Sequence, residues 1–213
     1  MTYMKAALAA LALAAATGAA QAAQQTAYLS GGCFWCVEAD FEKVAGVGDV
    51  ISGFTGGTTK APTYPAHGDH IEAVKVPFDD TEVSYRQIYD LFFRSIDPTD
   101  AGGQFCDRGR AYTTAIYVET PAQRQAAEAA KLAAKRELGK RIVTPIRDAG
   151  TFYPVDDYHQ DYYKSQERVA VTRFGVGVPK AEAYKKYRAG CARDQRVRQL
   201  WGDDAPFVPK TGS

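Results

Sequence analysis

Apolar and polar positions repeat at two periods along this chain, and the points where the period changes mark out its elements. Residues 26–30, Thr-Ala-Tyr-Leu-Ser, predict a short buried strand. Gly31-Gly32 then lets the backbone turn before a helix whose apolar positions are Phe34, Val37, Phe41 and Val44. A second strand is predicted within residues 47–57 and a third over 70–78, with Glu72 near its beginning. Ser84 and Gln87 make a capping box for a helix from Tyr85 to Ile96, with Ile88, Leu91, Phe92 and Ser95 as its buried stripe. After a long loop comes a strand over 111–119. Thr120, Pro121 and Gln123 start the next helix, Gly139 stops it, and 141–149 reads as the last strand. Two basic amphipathic helices, Lys180 to Arg188 and Asp194 to Trp201, close the pattern.

This order predicts an α+β fold: a mixed β-sheet with packed helices, a split β-α-β (ferredoxin-like) core and a helical C-terminal extension. The expected division is a leader over 1–22, a catalytic domain over 23–170 and the extension over 171–213. The leader has Lys5 ahead of an apolar run from Ala6 to Ala16, and Ala20-Gln21-Ala22 supplies a small-x-small cleavage pattern. That is a secretory signal peptide, and the location it implies is the bacterial periplasm. Its removal takes one basic residue and no acidic one, so the formal charge falls from +1 to zero. No nucleic-acid footprint remains. Both methionines, Met1 and Met4, leave with it.

The candidate chemistry lies in "SGGCFWCVEADF", residues 30–41. Cys33 falls at a strand-to-helix junction, where unpaired backbone N–H groups and the helix dipole favour thiolate. Cys36 is one turn further on, close enough for a dithiol switch. Phe34 and Trp35 between them suggest an apolar wall for a small side chain, since sulfur and methyl groups pack well on aromatic rings. Four cysteines in an exported chain also fit two structural disulfides, although a chain of this size does not need staples.

The segments GGCFWCVE, APTY, HIEAVKVPFDDTEVSY, DPTD, GGQFCDRGRAYTTAIY and FYPVDDYHQDYY, in this order, resemble the peptide methionine-S-sulfoxide reductase family over residues 27 to 163. The resemblance implies Cys33 as nucleophile, Phe34 and Trp35 as the aromatic pocket, and the hydroxyls of Tyr64 and Tyr112 as donors to the sulfoxide oxygen. It also implies Glu72 as the acid and Asp107 as a supporting carboxylate. A sulfoxide sulfur is attacked readily only once its oxygen is protonated or strongly hydrogen-bonded, so Glu72 is expected to be held neutral by burial. The implied substrate is methionine-S-sulfoxide, free or in proteins, and the implied product on the enzyme is a Cys33 sulfenic acid.

A second thiol must then expel the oxygen as water, leaving a disulfide for an external thioredoxin-like reductant. The chain departs from the family's commonest pattern here, because position 36 is often Gly and the resolving cysteine often sits in a Gly-rich tail. Cys36 is the first candidate resolver, Cys191 the second, as resolver or relay, and Cys106 the third. No cofactor and no metal are expected, and the protein is expected to be a monomer. His67, His70, Glu72 and His159 offer a weaker metal-cluster reading, against which His70 and His159 are expected to brace loops by hydrogen bonds. A general thiol-disulfide oxidoreductase using Cys33 and Cys36 is the alternative function.

Overall fold

In the computed structural model, which describes residues 24–172 and 175–210, β1 (Gln24–Gly31) leads through α1 (Phe34–Phe41) to β2 (Ile51–Thr55) and β3 (Ile71–Asp79). The expected leader lies outside the described residues. α2 (Tyr85–Arg94) precedes a two-stranded ribbon of β4 (Gly103–Gln104) and β5 (Asp107–Arg108), a 3₁₀ turn at Arg110–Tyr112, and β6 (Thr114–Val118). α3 (Pro121–Leu138), β7 (Ile146–Asp148) and β8 (Tyr153–Pro154) follow, then the hairpin of β9 (Arg168–Thr172) and β10 (Gly175–Pro179), then α4 (Lys180–Gly190) and α5 (Arg193–Trp201). The main sheet runs β7-β6-β1-β3-β2-β8. Its inner four strands, β6-β1-β3-β2, pair antiparallel with one another and carry the split β-α-β order, while β7 pairs parallel to β6 and makes the sheet mixed. The α+β reading therefore holds.

Local chemistry explains the helix ends. Ser84 and Gln87 form the predicted capping box, and Gly139, at φ +61°, closes α3 in the left-handed conformation. The buried face of α2 is Ile88, Tyr89, Phe92 and Phe93. Leu91 is partly buried at its edge. The predicted strand over 141–149 shrinks to three residues, and residues 141–145 run as an extended segment whose Pro145 carbonyl accepts from Ile116 N–H.

Seven of the eight residues of α1 are buried, among them Glu38 and Asp40. A helix covered on all sides needs partners for its charges, and these come from the far end of the chain. Arg188 of α4 donates to Asp40 Oδ1 at 2.8 Å, and the Asp161 amide donates to Glu38 Oε1 at 2.7 Å. The expected boundary between residues 170 and 171 falls inside β9. The helices beyond it pack against the catalytic turn.

Candidate active site

Gly31 and Gly32 place the catalytic turn. A Cβ on Gly31 would sit 2.8 Å from Val37 Cγ2, and Gly32 has φ +83°. Only glycine lets α1 fold back this closely onto the end of β1. Cys33 is the N-cap of α1 and opens on a cavity of about 50 Å³ lined by Cys33, Phe34, Trp35, Tyr64, Glu72, Asp107, Tyr112 and Tyr187. Seven of these eight are the nucleophile, pocket and acid–base residues expected from sequence, brought together from α1, β3, β5, the 3₁₀ turn and the loop before β3. Tyr187, from α4, was not anticipated. Its helix reads as a solvated basic stretch, and its partners lie some eighty residues away in sequence. A wider cavity of about 620 Å³, with Ile71, Arg110 and Arg147 in its wall, contains no thiol.

Glu72 is 3% exposed. Burial pushes its carboxyl up to about 8, opposed by the Phe34 N–H, which donates to Oε2 at 3.0 Å, and aided by Asp107 and Cys36. At neutral pH the acid is therefore mostly protonated, as a donor to a sulfoxide oxygen must be. Tyr64 and Tyr112 are raised above the ordinary phenol range by burial first and by Glu72 second, so both remain hydroxyl donors.

The rings form a column. Tyr64 stacks on His159 at 3.9 Å, His159 on Trp35 at 5.7 Å, and Trp35 on Tyr162 at 4.0 Å, with interplanar angles of 25°, 18° and 15°. Phe34 leans on Phe54 at 5.9 Å. His159 thus acts by stacking, and its Nδ1 has no hydrogen-bond partner. Burial lowers its pKa, which keeps the imidazole neutral between the rings. His70 does brace a loop: Gly57 N–H donates to its Nδ1 at 3.2 Å, and its Nε2 lies 2.8 Å from the Thr59 carbonyl oxygen.

The cysteines divide into two pairs. Cys106 and Cys191 are joined by a disulfide, with Cα atoms 4.8 Å apart, while Cys33 and Cys36 are free and buried. The two thiols of the free pair are shifted in opposite directions. Burial first, then the hydrogen bond and charge of Cys36, push Cys33 well up. Cys36 is held below the ordinary thiol range, chiefly by the hydrogen bond from Cys33, with Arg193 and Arg188 adding their charge. Asp40, one turn on from Cys36, binds Arg188 and lies 3.8 Å from Arg193 Nε. Arg193 is 1% exposed and donates to the Gly31 and Ser95 carbonyls at 3.3 and 3.0 Å. Among the described residues, the groups of three close ligand atoms are Cys106/Asp107/Cys191 and Glu38/Glu42/Asp161, and neither contains a histidine.

A sequence profile described as peptide methionine sulfoxide reductase matches residues 25–202. The chain belongs to the peptide methionine sulfoxide reductase family. Among relatives, it is 47% identical over 183 residues to peptide methionine sulfoxide reductase MsrA 2 of Rhizobium meliloti, covering 85% of each chain. It is 44% identical over 201 residues to the protein of the same name from Caulobacter vibrioides, covering 91% of this chain and 95% of that one. Among solved structures it resembles methionine sulfoxide reductase A of Corynebacterium diphtheriae, with TM-score 0.59, 29% identity and coverage of 75% and 85%. Reduced Mxr1 of Saccharomyces cerevisiae gives TM-score 0.62 at 25% identity, with coverage of 65% and 83%. In this reductase family member, a thiol, a neutral carboxyl and two phenols converge on one small cavity walled by aromatic rings.

Proposed function

We propose that this chain reduces methionine-S-sulfoxide, free or in proteins, to methionine by way of a Cys33 sulfenic acid and then a Cys33–Cys36 disulfide. The observation that carries the reading is a carboxyl held neutral, Glu72, lining the same cavity as the Cys33 thiol. Glu72 protonates the sulfoxide oxygen while Tyr64 and Tyr112 hydrogen-bond it. Phe34 and Trp35 receive the methyl group and the thioether. Cys33 sulfur supplies the electron pair, the oxygen passes to it, and the thioether leaves. The asymmetry of acid, donors and methyl wall supports selection of one epimer, the S form.

Cys36 is the resolver this arrangement favours. It is the free thiol nearest in sequence, it is buried at the same end of α1 as Cys33, and the charges of Arg193 and Arg188 favour its thiolate. Its sulfur attacks the sulfenic acid, a disulfide forms, and water departs. A thioredoxin-like dithiol restores the pair. The leader pattern supports export to the periplasm.

Cys33→Ser is expected to abolish reduction of methionine-S-sulfoxide. Mass spectrometry of the disulfide formed in one turnover without reductant is expected to find Cys33 joined to Cys36. Survival of activity in Cys33→Ser, or a trapped bond from Cys33 to Cys191, overturns the respective part. The alternative, general disulfide exchange, predicts activity on protein disulfides that is indifferent to Glu72→Gln.

A further inference from the structure

Resting on the reductase reading, the chemistry leaves one proton unaccounted for. Cys33 is buried and its thiol is pushed up, so the sulfur reaches the moment of attack still protonated and needs an acceptor other than Cys36, which has to stay a thiolate to attack the sulfenic acid afterwards. Tyr187 is placed to be that acceptor. Its hydroxyl donates to Asp107 Oδ2, it lines the same small cavity as the Cys33 thiol, and its ring meets Trp35 edge-on at 6.1 Å. A sulfur, a hydroxyl and a carboxylate thus share the wall of one cavity.

We propose that Tyr187 is a catalytic residue that passes the Cys33 thiol proton to Asp107 as the sulfur attacks, and that the Cys106–Cys191 disulfide holds it in place. The step balances. The S–H proton moves to Tyr187 Oη while the phenol proton moves to Asp107 Oδ2, and Glu72 gives its proton to the sulfoxide oxygen. The substrate's S–O bond breaks as the bond from oxygen to Cys33 sulfur forms, so the thiol is oxidised by two electrons and the sulfoxide is reduced by two. Asp107 later returns a proton to Glu72, and no outside acid is consumed.

The staple follows from spacing. Tyr187 and Cys191 lie four residues apart on one face of α4, and their partners, Asp107 and Cys106, are adjacent in the ribbon. The hydrogen bond and the disulfide are two rungs between the same two segments. Without the covalent rung, α4 stays tied to α1 through Arg188 and Asp40, and the ribbon stays tied to it through Tyr187 and Asp107.

The test is Tyr187→Phe, which keeps the ring and removes the hydroxyl. Two readouts are used: Cys33 alkylation against pH, followed by mass spectrometry of the Cys33 peptide in a Cys36→Ala background, and the single-turnover rate of sulfoxide reduction. Cys36, which raises the Cys33 thiol, is absent from both parent and variant in this background, and the other groups facing Cys33, namely Glu72, Tyr64, Tyr112 and Asp107, are unchanged. The alkylation profile is expected to move to higher pH, and the rate to fall roughly a hundredfold through kcat with little change in KM. A folded variant with the parent profile and rate overturns the proposal. Should Tyr187→Phe fail to fold, Asp107→Asn interrupts the other end of the chain and is expected to lower the single-turnover rate by a similar factor; an unchanged rate overturns the relay. Cys106→Ser with Cys191→Ser is expected to shift the profile in the same direction by less, and an unshifted one overturns the staple. Alkylation needs no sulfoxide. Failure of the reductase reading, seen as sulfoxide reduction surviving Cys33→Ser, is therefore distinguishable from failure of the Tyr187 assignment.

Discussion

At Glu72 one proton decides whether the site works. Its carboxyl, held up near 8 by burial, is a competent donor below that pH and a buried anion above it. Activity is therefore expected to fall as pH rises through about 8, and Glu72→Gln, which can hydrogen-bond but not protonate, should lose roughly 10²- to 10⁴-fold in rate and flatten that alkaline limb. The same shift has a stability consequence. The folded pKa exceeds the ordinary carboxyl value of 4.5, so the favourable contribution is complete below about 4.5 and is lost progressively as pH rises towards and through 8. Denaturant titrations across that window should be flatter for Glu72→Gln than for the parent. Cys36→Ser makes a different break: one equivalent of methionine per enzyme should still be released, turnover should then stall, and a sulfenic acid on Cys33 should be captured by a 1,3-dione probe. Rapid multiple turnover by Cys36→Ser would reassign the resolver.

The element on which these residues depend is α1, and the loop over residues 156–164 is tied to it by Glu38. Ser52 Oγ donates to Glu38 Oε2 at 2.8 Å and the Asp161 amide to Oε1 at 2.7 Å, while Tyr163 and Lys164 both bind Glu42. This loop carries His159 and Tyr162, two rings of the stacked column. Ser52→Ala is expected to cost about 1–3 kcal/mol by stripping a partner from a buried carboxyl, and to raise KM more than it lowers kcat. Proteolysis within residues 156–164 and a denaturation midpoint measure both effects. The helix ends of this region were legible in sequence, because Gly31-Gly32, Ser84/Gln87 and Gly139 act locally. The two-residue strands β4, β5 and β8 were not, since two residues carry no period. The β9–β10 hairpin was missed for a different reason: no element was assigned between residue 163 and Lys180, although valines recur there. The acid and both phenols became legible only together with Cys33; Tyr187 stayed hidden because its significance exists only once α4 is folded against β5.

Across the whole molecule, the buried charges of α1 meet cations from the last two helices. Arg193 reaches the Gly31 and Ser95 carbonyls, lies over the Phe105 ring at 4.7 Å and stands near Asp40. Arg193→Met removes a charge that offsets a buried carboxylate, and is expected to destabilise the fold by about 3–5 kcal/mol. It should also shift Cys36 alkylation to higher pH, which a purely steric role would leave unmoved. The bond between Cys106 and Cys191 spans 85 residues of sequence. A ribosome delivers Cys33 well before Cys191, so a growing chain passes through a long interval in which the nucleophile exists without the segment that carries Tyr187. Full reactivity is thus deferred until that segment has emerged and folded back, and a chain cut short before that point has the thiols but not the finished catalytic setting.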